Sequence, residues 1–155
     1  MMDGIHLYLS AGVAVLLGAL VASVFTAYFN HLSTKNENIN EYLKYLGEIE
    51  KLCRNYWLFE GPMDEGASQL GNLGHELRAK LDATASFESL SKSILGERYD
   101  QFTELDVKLF MAATGGTFQT QSFLPSPEVY GEVMQIITEI RALLRQQRIS
   151  LFWAR

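Results

Sequence analysis

The chain opens with its longest apolar run, and only afterwards do polar and apolar positions alternate. Residues 5–29 form 25 consecutive positions without an Asp, Glu, Lys or Arg. As a helix this run would extend roughly 37 Å, at about 1.5 Å per residue, which exceeds the roughly 30 Å hydrocarbon core of a bilayer. Tyr8 and Tyr28 lie near its ends, where aromatic side chains suit the membrane interfaces. The pattern predicts an N-terminal tail and transmembrane helix over residues 1–29.

A cleaved signal peptide is the alternative interpretation of this run. Signal peptides carry basic residues ahead of a shorter apolar core, whereas the four residues before residue 5 include no Lys or Arg. Lys35 and Lys44 follow the run, and the positive-inside rule therefore predicts that the C-terminal domain lies in the cytoplasm. We expect a single-pass protein of the inner (cell) membrane.

One face of the predicted span is lined by small residues. They recur at every fourth position, which keeps them close to one face of a helix. Small side chains allow two helices to approach closely in lipid, where association depends on close packing. This pattern predicts self-association of the span, and a different membrane protein could use the same face. The residues are Ser10, Ala14, Gly18, Ala22 and Thr26.

The rest of the chain predicts an all-α domain. Residues 30–38 are polar and form either a linker or an extension of the membrane helix. Residues 39–155 show apolar positions at helical spacing and no alternation typical of strands. Gly61-Pro62 is expected to end the first helix of this domain, and Ser126-Pro127 to start the last one, with Ser126 as its N-cap. We expect a cytoplasmic bundle of four to five helices.

The composition supplies few candidates for chemistry. Apolar residues make up 48% of the chain and the net charge is -5, so nucleic acid is an unexpected partner. Cys53 is the single cysteine; it lies on the apolar face of the first cytoplasmic helix, which is typical of a buried thiol. No metal-binding, phosphate-binding or nucleophile motif is present. We therefore predict a non-enzymatic protein with no catalytic residue, no metal and no cofactor.

Positive charge is concentrated at the C-terminal end. Residues 141–155 carry four Arg and no acid, whereas residues 30–140 carry a net charge of -8. Two interpretations remain open. The arginines and the apolar residues after them could contact a partner protein or anionic lipid, or they could complement the helix dipole and cover the core. The candidate contact residues are Arg141, Arg145, Arg148 and Trp153.

The layout resembles the small single-pass membrane effectors and accessory proteins of prokaryotic antiviral defence systems, such as the pore-forming accessory protein of type VI CRISPR systems. The helical domain of that family resembles a nuclease-derived fold, in which an Arg and a polar residue precede a His. Arg54-Asn55 has no His within the next six residues, so no functional residue is carried over. The resemblance implies a membrane-acting oligomer.

Two function classes follow from these patterns. The first is a non-enzymatic protein that inserts in the lipid bilayer, forms a homo-oligomer and acts there, as an effector or a subunit in antiviral defence. The second is a membrane-anchored interaction module, in which the span localises a helical domain that recruits a cytosolic protein. A third class, an anchored enzyme, has no motif to support it. Depolarisation of the membrane would distinguish the first class from the second.

Overall fold

The computed structural model is helical throughout the residues that it describes. The backbone is described for residues 2–61, 63–87, 92, 94–120 and 122–153, and the side chains for residues 13, 15–61, 66–87, 92, 94–120 and 122–148. Within this part no strand occurs, so the predicted all-α class is confirmed. Two short 3₁₀ turns, Ala85–Phe87 and Gly96–Arg98, lie between α2 and α3. The long helices are α1 (Met2–Trp57), α2 (Met63–Thr84), α3 (Tyr99–Thr114) and α4 (Pro127–Trp153).

The chain divides into two compact units, Met1–Glu37 and Asn38–Arg155. α1 supplies the first unit and also the first helix of the second, because it runs without interruption through residues 30–38. The polar segment is thus an extension of the helix, one of the two predicted alternatives. Ser, Thr and Asn are compatible with a helix interior at only a small cost in propensity.

The core of the second unit comes from all four helices. Its apolar residues recur at the three- and four-residue spacing that the sequence predicts for α1, α3 and α4. Complete burial of one large apolar side chain contributes roughly 1.5–3 kcal/mol. The buried residues include Ile39, Tyr42, Leu46, Ile49, Cys53, Tyr56 and Trp57 from α1, Leu70, Leu77 and Leu81 from α2, Phe102, Leu105, Leu109 and Ala113 from α3, and Val133, Ile136, Ile137, Ile140, Leu143 and Leu144 from α4.

An aromatic cluster joins the end of α1 to the loop between α3 and α4. The Tyr56 ring lies 4.9 Å from the rings of both Phe118 and Phe123, measured between centroids. The Tyr56 hydroxyl accepts a hydrogen bond of 2.7 Å from the backbone N–H of Gln119. These contacts hold the loop against the core. The loop begins at Gly115-Gly116, where Gly116 adopts a φ of 60°, in the left-handed region that favours glycine.

Ser126 caps α4, as predicted. Its Oγ accepts a hydrogen bond of 3.2 Å from the N–H of Val129, three residues later, which is the geometry of a helix N-cap. Its own N–H donates to the carbonyl of Trp57 at 2.9 Å. The Trp57 carbonyl, in the last turn of α1, thus accepts its hydrogen bond from the N-cap residue of α4 and not from a further turn of α1. Together with the aromatic cluster, this contact accounts for the end of α1 at Trp57, before Gly61.

Candidate functional site

The first unit contains a helix long and apolar enough to cross a membrane. From Val15 onwards, α1 includes an 18-residue window with a mean hydropathy of 1.6, and none of that window is buried. A helix of similar hydropathy in a soluble core would be mostly covered by other elements. The large apolar side chains at described positions between 13 and 29 are 51–72% exposed. This length, hydropathy and exposure are typical of a membrane span, and a signal sequence has a similar pattern.

The described part of the small-residue face is open. A Cβ at Gly18 would meet no other heavy atom within 4 Å, and Ala22 and Thr26 are exposed. The Thr26 hydroxyl donates to the carbonyl of Ala22 at 2.9 Å, so its hydrogen-bonding requirement is met within the helix. Gly18, Ala22 and Thr26 therefore form about two helical turns with small side chains and no hydrogen-bonding group left without a partner. Such a surface is suited to close helix packing.

Three of the predicted contact residues lie outside the described side chains. They are Ser10 and Ala14 at the start of the small-residue face and Trp153 at the end of α4. Their roles remain predictions from the sequence.

Two arginines near the C-terminal end of α4 make contacts with α1 that stabilise the bundle. Arg141 Nη2 lies 2.7 Å from Glu50 Oε2, and both side chains are only about one quarter exposed, at 26% and 23%. Arg148 Nη1 donates to Asn40 Oδ1 at 3.1 Å. Arg145 is exposed and makes no hydrogen bond or ion pair with another described residue. Arg141 and Arg148 thus each contact α1, whereas Arg145 has no hydrogen-bond or ion-pair partner among the described residues.

Three potentially reactive side chains of the second unit, those of Cys53, Tyr42 and Arg54, are buried or hydrogen-bonded. Cys53 is fully buried, and burial raises the pKa of its thiol to about 12, so the thiol is protonated and unreactive near neutral pH. The Tyr42 hydroxyl donates to Asp106 Oδ1 at 3.0 Å, and burial raises the pKa of Tyr42. Arg54 donates from Nε to the Tyr130 hydroxyl at 3.2 Å. Within the part of the chain that the structure describes, no three His, Cys, Asp or Glu residues form a metal site.

A groove between α3 and α4 is a feature that the sequence analysis missed. It has a volume of about 590 Å³ and runs along α3 and the first half of α4. Apolar side chains form part of its lining, and charged or amide side chains stand along its edges. The residues that line it are Lys108, Met111, Ala112, Gly115, Gly116, Val129, Glu132, Gln135, Ile136 and Glu139.

The groove borders an apolar surface that no described residue covers. Met111 is 67% exposed, and Val107, one turn earlier on α3, is 50% exposed. Both lie off the buried stripe of α3, which the sequence predicts at Phe102, Leu105 and Leu109. Apolar residues outside the predicted stripe were the signal that could have revealed this surface. They mark a helix face that has no partner within the described chain.

Comparison with known proteins found no relative: the chain matches no protein-family model, no curated protein and no solved structure. The functional argument therefore rests on the residues of the chain itself.

Proposed function

We propose that this chain is a non-enzymatic, single-pass membrane protein that forms a homo-oligomer and acts at the inner membrane, with its C-terminal domain in the cytoplasm. The observation that carries the proposal is the uncovered apolar part of α1. Large apolar side chains that are more than half exposed over residues 13–29 are costly in water and favourable in lipid. The two lysines after this segment support the cytoplasmic orientation.

Self-association is proposed to occur along Ser10, Ala14, Gly18, Ala22 and Thr26. The open surface at Gly18 and the satisfied hydroxyl of Thr26 support it, because neither residue hinders a second helix. In lipid, apolar side chains gain little from contacting each other rather than lipid tails, so close approach of backbones must supply the stability. The resemblance to membrane effectors of antiviral defence suggests that this oligomer is an effector or a subunit in such a system.

Anchoring and orientation are tested together by a reporter fused after Arg155. A reporter enzyme that functions only in the cytoplasm should be active in this fusion. The purified protein should retain its N-terminus. Activity confined to the periplasm would contradict the orientation. A mature chain that begins within or after residues 5–29 would contradict the anchor and support a signal peptide.

A membrane-anchored interaction module is the second candidate. The groove between α3 and α4 favours it, because a bundle that only supports a span has no need of an open apolar surface. Membrane potential in expressing cells separates the two. An effector should depolarise the membrane under its activating condition, whereas an interaction module should leave the potential unchanged.

A further inference from the structure

The surface between α3 and α4 combines apolar and acidic groups. Its apolar lining consists of the exposed Met111, the half-buried Val129 and the buried Ile136, and Glu132 and Glu139 line it from α4. Val107, Met111 and Leu124 are the large apolar residues described as exposed within residues 38–155. Met111 lines the groove, and Val107 lies one turn earlier on the same helix.

The charges at the groove are unevenly distributed. Glu132 and Glu139 stand on α4, and Gln135 between them donates to Glu139 at 3.1 Å. The one lysine in the lining, Lys108, is paired with Glu104 at 2.7 Å on the same helix. Lys108 also lies close enough to Glu139 to interact with its charge. Glu104, Glu132 and Glu139 against the single Lys108 leave a net charge of -2 at the groove. A cationic occupant would therefore complement it.

The length of the groove along α4 corresponds to about three turns of a helix. Its lining on α4 extends from Val129 to Glu139, which corresponds to about 15 Å at about 1.5 Å per residue. Three turns of a helix cover that length, and such a helix would place apolar residues at positions i, i+3 or i+4, and i+7 along the floor. An extended peptide would find no free strand edge here, because α-helices form both walls.

We propose that the groove between α3 and α4 binds an amphipathic helix of a partner protein, with an apolar face against Met111 and basic residues against Glu132 and Glu139. The surface lies wholly within residues 38–155 and does not depend on self-association of the span. It differs from the arginine end of α4, where Arg141 and Arg148 contact α1.

The probe is a synthetic amphipathic helix of about four turns, roughly 14 residues, with Leu on one face and Lys on the other. A second peptide carries Glu in place of each Lys. Binding of fluorescent peptide to the full chain is measured by anisotropy in uncharged maltoside micelles, with empty micelles subtracted. The basic peptide should bind, and added salt should weaken its binding. The acidic peptide should bind at least tenfold more weakly.

Charge reversal locates the site. The double variant E132K/E139K should weaken binding of the basic peptide roughly tenfold, because two attractive contacts become repulsive. The matched control is E41K/E76K, which changes the net charge by the same amount at exposed positions on α1 and α2. The control should change affinity by less than about twofold.

Exposed apolar residues supply a second matched pair. Met111 and Leu124 are both 67% exposed, so Met111→Glu and Leu124→Glu should leave the fold intact. Met111→Glu should weaken peptide binding, and Leu124→Glu should not. Equal losses in E132K/E139K and E41K/E76K would overturn the proposal, since they would reflect bulk attraction alone. It would also be overturned if no peptide bound, or if Met111→Glu reduced the mass of the particle, which would show that a second copy covers the groove.

Discussion

The ion pair between Arg141 and Glu50 offers a quantitative test of how α4 is held to α1. The two atoms are 2.7 Å apart and the side chains are about one quarter exposed. Exposed ion pairs contribute about 0.2–1 kcal/mol, and hydrogen bonds to charged groups contribute about 1.5–3 kcal/mol. For a pair between these limits we expect a coupling energy of roughly 1–2 kcal/mol.

The perturbation is a double-mutant cycle of Arg141→Met, Glu50→Gln and the two combined. Met keeps an apolar stem in place of the arginine methylenes, so the packing of the side chain is largely preserved. Arg141→Met leaves the partly buried Glu50 carboxylate without its partner and should lower the free energy of unfolding by about 2 kcal/mol. Glu50→Gln keeps an acceptor oxygen but removes the charge that Arg141 faces, so it should cost less, about 1 kcal/mol. The double variant should cost less than the sum of the two.

The assay is urea unfolding of the full chain in maltoside micelles, followed by tryptophan emission, to which Trp57, buried in the core, contributes. Arg145→Met is the matched control, because Arg145 is exposed and unpaired among the described residues. That variant should change the free energy of unfolding by less than about 0.5 kcal/mol. The reasoning is refuted if Arg141→Met costs no more than the control and the coupling energy is close to zero.

Three further predictions concern the second unit. Ser126→Ala should lower the free energy of unfolding by about 1 kcal/mol in urea titrations through loss of the cap on α4, and Ser126→Asp should restore most of it. Gly74→Ala should destabilise the fold by roughly 1 kcal/mol, because its Cβ would lie 3.1 Å from the buried ring of Tyr56, which the aromatic cluster holds in place. Gly71→Ala, with nothing within 4 Å outside its own helix, should stabilise the same helix slightly. Because burial raises the pKa of Cys53 to about 12, against about 8.5 when unfolded, the free energy of unfolding should fall as pH rises above about 9, and Cys53→Ala should remove the fall between about pH 9 and 10. Above about pH 10 Tyr42, whose pKa is also raised by burial, adds a fall of the same sign.

Local patterns predicted the helices well because one residue or one spacing determines each feature. The spacing of Phe102, Leu105 and Leu109 corresponds to the buried face of α3, and Ser126 caps α4 as its position before Pro127 indicates. These signals lie within a single element, so the rest of the fold is not needed to interpret them.

Contacts between distant elements could not be predicted in the same way. Arg141 and Glu50 are separated by 91 positions, and nothing in their neighbourhoods indicates that they pair. The groove between α3 and α4 likewise depends on how two helices pack. The end of α1 also depends on a contact between distant residues. Gly61 and Pro62 are strong helix breakers, but the helix ends earlier, at Trp57, whose carbonyl accepts a hydrogen bond from Ser126. The roles of the small-residue face and of Trp153 stay predictions.

The central claim is that the chain forms a homo-oligomer through the small-residue face of its span, and cross-linking of the full chain in membranes tests it most directly. Gly18→Leu keeps the segment apolar but fills the surface where no atom lies within 4 Å, so insertion should persist and the cross-linked fraction should fall severalfold. Leu17→Ile, on the bulky side of the same helix, should leave that fraction unchanged. A cross-linked fraction that is the same in Gly18→Leu as in the unaltered protein would contradict the claim.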